Sequence, residues 1–193
     1  MNRGDIIQAA AQIFRQKGYQ ATSMQDIANA VGLQKASLYH HVTSKQEILL
    51  EILDQAIDVL IADMQAVIEA GGPPEVQLRQ AMRAYVSRVT QEASLAAVLQ
   101  LEHRNLEPRM RARHVARRDR YDGLWRTLIR RGVESGAFRA VDENMVSFAL
   151  LGVQNWMITW YRPEGRLSAL EIADQFADLF LQGLLPVTRS VPA

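Results

Sequence analysis

Apolar residues recur at helical spacing through most of the chain, and this pattern predicts a succession of helices. Residues 3–17 place Ile6, Ala10 and Phe14 on one stripe, and Gly18 follows as a stop, which is typical of an amphipathic helix. We expect further helices over residues 44–70, 74–91, 94–101, 107–134, 142–161 and 168–184. No stretch shows a convincing strand pattern, so the sequence predicts an all-α protein.

Two short helical patterns lie on either side of Gly32, within residues 22–45. Thr22 and Gln25 have the spacing of a capping box, which predicts a helix start there. Gly32 can take the positive φ at which the first helix of the pair must end. The small Ala28 suits the close helix crossing of a helix-turn-helix. The outward side of the second helix is polar and cationic, as a helix that enters the major groove requires.

The N-terminal quarter of the chain resembles the tetracycline-repressor (TetR) family of bacterial transcription regulators. The stretches that carry the resemblance are residues 6–14, the pair Gly18-Tyr19, the helix-turn-helix itself and residues 38–49. The resemblance implies an all-α fold with an N-terminal three-helix DNA-binding domain. It also implies a C-terminal ligand-binding and dimerisation domain of about six helices. We expect these domains at residues 1–46 and 47–186, with a loose tail over residues 187–193.

The second helix of the pair supplies the side chains that we expect to contact DNA. Gln34 can pair with adenine, and Lys35 can pair with guanine or a phosphate. The candidates near the bases are Gln34, Lys35, Ala36 and Ser37. By resemblance to the family, the candidates for contacts with the DNA backbone are Ser23, Tyr39, His40 and Lys45. A solvated surface is the competing interpretation of this polar face.

Residues 107–134 carry an apolar stripe whose N-terminal half turns polar. Arg113 or Arg117, turned towards an apolar cavity, would attract the carboxylate or phosphate of a ligand. With aromatic and methionine side chains they resemble the adaptable lining of a site for a mostly apolar ligand. The candidate ligand-binding residues are Met64, Met82, Tyr85, Met110, Arg113, His114, Arg117, Tyr121, Trp125, Phe148, Asn155 and Trp156. For any single one of them, core packing is the competing interpretation.

Charge is unevenly distributed along the 193 residues, although the formal net charge is only +1. Residues 101–135 hold five more cations than anions. A protein that coats long stretches of nucleic acid would be more basic overall, so we expect a local DNA contact that dimerisation doubles. The arginine-rich run within residues 109–131 is open to three interpretations: a second nucleic-acid surface, a solvated helix face, or an anion site for the ligand.

Little in the sequence suggests catalysis or metal binding. The chain has no cysteine, and the side chains of the neighbours His40 and His41 would diverge by about 100° on a helix. His103 and His114 favour a place in the interior over a metal site, and no serine, histidine and carboxylate form an interpretable group. We therefore expect no enzyme activity, metal or cofactor. No apolar run nears the roughly 20 residues that span a bilayer, and the N-terminus lacks a secretion signal, which predicts a cytoplasmic protein.

Residues 145–160 are apolar nearly all round, which implies burial on more than one side. Together with residues 168–184 from each of two chains, they would form a four-helix dimer interface. The hypothesis is a homodimeric repressor that a small hydrophobic effector releases from its operator. The last third of the chain also loosely resembles family members that sense fatty or aromatic acyl-CoA thioesters. This resemblance implies that the effector could be an acyl-CoA. The competing hypotheses are an activator, a ligand-free nucleoid-type factor, and a helical enzyme or binding protein in which the N-terminal motif is only structural.

Overall fold

The computed structural model describes residues 2–186 as nine α-helices and one short 3-10 helix, with no strand among these residues. The elements are Arg3–Lys17 (α1), Met24–Ala30 (α2), Lys35–Leu38 (α3), Lys45–Ala70 (α4), Pro74–Gln91 (α5), Ala93–Leu101 (α6), the 3-10 helix His103–Asn105, Pro108–Glu134 (α7), Glu143–Trp160 (α8) and Ala169–Leu184 (α9). The predicted all-α fold is confirmed, and the ends of the predicted helices are met to within a residue or so. The tail predicted at residues 187–193 lies outside the described residues.

The start of α2 differs from the prediction by one residue. Ser23, not Thr22, caps the helix, since its hydroxyl accepts the backbone N–H of Asp26 at 3.1 Å and its own N–H donates to the Asp26 carboxylate at 2.8 Å. Thr22 is buried and donates its hydroxyl to the Gly18 carbonyl at 2.8 Å. Two hydroxyl residues in succession made the pattern ambiguous, because Gln25 and Asp26 can each complete a capping box.

The described residues form two compact units, and the first contains the helix-turn-helix. This unit comprises the described residues up to Val59 together with Gln91–Asp119. Within it, α1 packs against α2 and α6, and α2 packs against α3. Its fully buried side chains include Ile6, Phe14, Ile27, Leu38 and Ile48. Helix α6, distant in sequence, thus shares a unit with the helix-turn-helix, and the boundary at residues 46 and 47 stays a prediction.

The second unit comprises Leu60–Thr90 and the described residues from Arg120 onwards. Its fully buried side chains include Leu78, Met82, Trp125, Leu128 and Leu150. Arg83 on α5 makes two bonds to the carboxylate of Asp174 on α9, at 2.6 and 2.5 Å. Arg79, one turn earlier, donates to Asp178 at 2.5 Å. These ion pairs fix the register of α9 against α5.

The two long faces of α8 have an unusual composition. Asp142 caps the helix, as predicted, and accepts the N–H groups of Asn144 and Met145 at 2.8 and 3.2 Å. The buried face contains polar as well as apolar residues: Ser147, Leu150, Leu151, Gln154 and Met157. The large side chains of the outer face are apolar and exposed, with Met145 62 %, Phe148 58 % and Trp156 65 % accessible. This outer face of α8 therefore lacks the polar covering of an ordinary surface helix.

Candidate nucleic-acid interface and effector site

Residues 34–40, which we call the recognition surface, present polar side chains that form no hydrogen bond with the rest of the head. The head is the part of the first unit that consists of α1 to α3 and the start of α4. Leu38 is fully buried and anchors the four-residue α3, while Gln34 is its N-cap residue. The side chains that face outward are those of Gln34, Lys35, Ala36, Ser37, Tyr39 and His40. Within the described part of the chain, the polar ones among them form no hydrogen bond or ion pair. Their donors and acceptors are therefore available to base edges and phosphates.

Lys45 and Ser23, also predicted to contact DNA, are engaged inside the head. The Lys45 ammonium donates to the carbonyls of Tyr19 and Thr22 at 2.9 and 2.6 Å and lies 4.3 Å from the centre of the Tyr19 ring. Burial lowers the pKa of Lys45. Because an ammonium has three N–H donors, one remains for another acceptor. Ser23 donates its hydroxyl to Asp26 at 2.7 Å. Both side chains therefore stabilise the helix-turn-helix through bonds within the head.

A cluster around Glu47 fixes the start of α4. Arg3 donates to Glu47 at 2.7 Å and to Glu51 at 2.8 Å. The other oxygen of Glu47 accepts the hydroxyl of Thr43 at 2.6 Å and its backbone N–H at 2.5 Å. The Thr43 hydroxyl, Arg3 and the Thr43 N–H lower the pKa of Glu47 to about 2. Ser44 accepts the N–H of Glu47 at 3.0 Å, as the sequence pattern indicates, but the Glu47 carboxylate bonds Thr43 instead of completing the box.

Part of the predicted ligand lining shares the interior of the second unit. The buried members are Met64, Met82, Tyr85, Tyr121 and Trp125. The rings of Tyr121 and Trp125 meet edge to face with centroids 6.4 Å apart, and burial raises the pKa of Tyr121 well above its usual value. Tyr85 donates its hydroxyl to the half-buried Asn155 at 2.5 Å, which ties α5 to α8.

Two buried polar residues in the same unit were not predicted from the sequence as candidate ligand-binding residues. Ser147 and Gln154 are 1 % and 0 % exposed, and a spacing of seven places both on one face of α8. The Gln154 amide donates to the Leu150 carbonyl at 3.1 Å, while its carbonyl oxygen and the Ser147 hydroxyl have no hydrogen-bond partner among the described residues. An unmet buried polar atom costs about 1–3 kcal/mol, so a ligand group that pairs with it would be stabilised. Polar residues seven apart in an apolar helix are the signal that could have found them.

The structure does not bring Phe148 and Trp156 to this interior. Both lie on the outer face of α8, 58 % and 65 % exposed, whereas the buried face carries Ser147 and Gln154. The sequence grouped them with Asn155 at spacings of seven and eight. In a helix that is apolar nearly all round, periodicity shows which residues share a face but not which face points inward. These two aromatic residues therefore lie on an exposed apolar surface and not in the interior of the second unit, and their contact with a ligand stays a prediction.

The remaining ligand candidates belong to the first unit. Arg113 is exposed and donates to Asp54 at 2.6 Å, and Arg117 pairs with Asp58 and, at 3.4 Å, with Asp54. The two cations are therefore neutralised by carboxylates of α4, and this differs from the expectation that they turn towards an apolar cavity. Met110 is half-buried and His114 is 1 % exposed.

Among residues 2–186, the acidic and histidine side chains nowhere come together in a group of three or more that could hold a metal ion. None of the helices described for this chain combines the length and apolar character that a membrane crossing demands.

Comparisons with known proteins match both parts of the chain. The family model described as "Bacterial regulatory proteins, tetR family" matches residues 6–52. The one described as "Tetracyclin repressor-like, C-terminal domain" matches residues 71–184. Together they cover the helix-turn-helix and most of the remaining helices.

Solved structures and a curated relative agree with this match. The TetR family regulator PfmR from Thermus thermophilus is 41 % identical, with 92 % of this chain and 97 % of that chain covered and a TM-score of 0.87. The structure of AibR with isovaleryl coenzyme A and operator DNA is 29 % identical, covering 93 % and 97 %, with a TM-score of 0.86. The transcriptional repressor KstR2 of Mycobacterium tuberculosis is 28 % identical over 94 % of this chain and 92 % of its own. The chain belongs to the TetR family of transcriptional regulators, which are not enzymes.

Proposed function

We propose that the protein is a homodimeric repressor that binds operator DNA through the recognition surface and leaves it when a small hydrophobic effector, an acyl-CoA in the first instance, binds. The observation that carries the proposal is the availability of the side chains of Gln34, Lys35, Tyr39 and His40. Nearby polar groups such as Lys45 and Glu47 are bonded within the head. A cytoplasmic location, where the DNA lies, is part of the proposal.

The outer face of α8 supports the dimer. Met145, Phe148 and Trp156 stand on it around the small Ala149 and Gly152, which allow a second helix to approach closely. Leu179 on α9 is also exposed, at 66 %. Burial of these side chains against the same faces of a second copy would form a four-helix interface. The two recognition surfaces would then enter successive major grooves about 34–36 Å apart.

The effector class is supported by relatives and by the interior of the second unit. The structure of AibR contains isovaleryl coenzyme A together with operator DNA, which supports the ligand class; release of the DNA by the ligand is our own proposal. In this chain, the apolar interior of the second unit contains the unpaired polar atoms of Ser147 and Gln154, which is typical of a site for a mostly apolar ligand with polar groups. An effector acts through its different affinities for the DNA-binding form and the released form. Helix α4, 26 residues and about 39 Å long, contributes to both units and is the element that we expect to transmit the change.

A gel-shift titration of the purified protein against the DNA upstream of its own gene tests the proposal. We expect a saturable complex with the wild-type protein and loss of the complex when acyl-CoAs of suitable chain length are added. Arg15→Ala, which changes an exposed cation on α1, is the control for general charge effects. Failure of every acyl-CoA to release the DNA would remove the effector class, and absence of any complex would remove the operator assignment.

A further inference from the structure

The imidazole of His114 is buried on α7 without a hydrogen-bond partner. The residue is 1 % exposed, and neither ring nitrogen bonds any residue that the structure describes. A neutral imidazole has one N–H donor and one acceptor nitrogen. Buried polar groups in folded proteins are nearly always paired, because an unmet one opposes folding. A ligand with a polar group that bonds the His114 imidazole would therefore bind favourably there.

The ionisable groups that act on His114 are two arginines and a histidine, with no carboxylate among them. Burial, followed by Arg118, His103 and Arg117, lowers the pKa of His114 to about 4. His103, in the 3-10 helix, is affected in the same direction by burial, Arg118 and Arg104. Arg117 is paired with the carboxylates of α4. The guanidinium groups of Arg104 and Arg118, however, form no hydrogen bond or ion pair with the described residues.

These four side chains belong to the first unit and range from exposed to buried, and His114 and Arg118 lie one turn apart on the same side of α7. Arg104 is exposed, Arg118 and His103 are half-buried, and His114 is buried. Two imidazoles alone would suggest a metal ion, but the two unpaired guanidinium groups repel a cation. The same groups favour an anion, since arginine pairs with the oxygens of carboxylates and phosphates and an imidazole N–H can donate to them.

We propose that Arg104, Arg118, His103 and His114 form an anion site that receives a phosphate or carboxylate group. Arg104 attracts the group at the surface, Arg118 supplies the neutralising charge, and His114 donates the hydrogen bond at the inner end. Arg113 and Arg117 are not part of this site, because the α4 carboxylates already neutralise their charges. The site belongs to the first unit alone, and anion binding there does not depend on the proposed function.

Nuclear magnetic resonance of the full-length protein with labelled histidines tests the site without DNA. Inorganic pyrophosphate and acetate are titrated separately, so the two arms distinguish a phosphate from a carboxylate. We expect saturable shifts of the His114 ring signals, which His114→Gln identifies by their loss. Arg118→Gln should weaken the binding by about tenfold or more, the loss expected for a charge-assisted hydrogen bond. Arg120→Gln, the matched control, removes an exposed cation two residues further along α7 and should leave the affinity unchanged within about twofold.

Two results would overturn the site. One is the absence of saturable His114 shifts with both anions. The other is equal weakening by Arg118→Gln and Arg120→Gln, because unspecific attraction would then account for the binding. Since Arg118 is half-exposed, its variant keeps the test valid even where His114→Gln does not fold. If anion binding fails while acyl-CoA still releases operator DNA, the proposed function stands; if anions bind and no acyl-CoA releases DNA, only the effector assignment fails.

Discussion

The recognition surface and the outer face of α8 are both exposed, but one is polar and the other is apolar. Gln34, Lys35 and Tyr39 offer hydrogen-bonding groups that water satisfies in the free protein. They gain free energy only where a partner matches their geometry, as base edges and phosphates do. Phe148 and Trp156 gain from any burial, at about 25 cal/mol per Å² of apolar surface. The polar surface is therefore suited to selecting a sequence, and the apolar face to holding two chains together.

The largest expected effect comes from a charge placed in the middle of the α8 face. A Cβ atom at Gly152 would meet no atom within 4 Å in the single chain, so Gly152→Arg leaves the protomer intact and acts only on a second copy. We expect the dimer to dissociate, with operator affinity about 100-fold lower because the two half-sites are no longer bound together. Analytical ultracentrifugation and a gel-shift titration measure the two effects.

The control for Gly152→Arg is Ala112→Arg, which adds the same side chain to an exposed position of α7. It should leave both the mass and the operator affinity of the protein unchanged. A Gly152→Arg protein that remains a dimer would show that the outer face of α8 is not the interface.

The next effect concerns the recognition surface itself. Tyr39 is 46 % exposed and its hydroxyl has no partner among the described residues, so Tyr39→Phe removes a DNA contact without changing the fold. Loss of one hydrogen bond of about 1 kcal/mol in each of the two half-sites, about 2 kcal/mol in all, should lower operator affinity about 30-fold. Because the contact is with the DNA backbone, all sequences should be weakened alike.

Gln34→Ala distinguishes base reading from backbone contact at the same surface. We expect a binding-site selection to show a changed base preference at one position of each half-site, because Gln34 pairs with a base edge. Tyr39→Phe in the same selection should leave the preference unchanged. An unaltered preference with Gln34→Ala would remove the base-reading role of this residue.

How far the sequence predicted these features depends on how local their causes are. Helical periodicity found the helices, and resemblance over residues 3–50 led to the recognition surface, because both signals lie within a short stretch of chain. The partners of Arg113 and Arg117 lie 59 residues away on α4, and no local pattern shows such a pairing. The direction in which α8 faces also depends on the helices that pack against it, so Phe148 was placed in the interior and Ser147 was overlooked.

A smaller effect is expected from the turn that presents the recognition surface. Gly32 has a φ of +66° and open space around it, so Gly32→Ala adds only the backbone cost of a left-handed conformation, about 1–2 kcal/mol. Chemical denaturation should show this loss of unfolding free energy, with a further loss of operator affinity. Gly71→Ala is the control, because Gly71 has a similar φ of +69° and equally open surroundings. This control should lose stability but keep its operator affinity. Equal operator affinity of the two variants would show that the turn at Gly32 does not contribute to DNA binding.

The smallest effect concerns Glu47, whose carboxylate is hydrogen-bonded inside the head, unlike the side chains of the recognition surface. The pKa of Glu47 is about 2, below the usual 4.5, chiefly because of Thr43 and Arg3. A carboxylate with a lowered pKa stabilises the fold above its unfolded pKa and loses this contribution as the pH falls from about 4.5 towards 2. Glu47→Gln should thus cost about 1 kcal/mol of unfolding free energy at neutral pH, after screening at a partly exposed site. Denaturation at several pH values should show this difference from the wild type shrinking below pH 4.5, while the exposed Glu69→Gln on the same helix changes little. A difference that does not vary with pH would mean that Glu47 acts by packing and not by its charge.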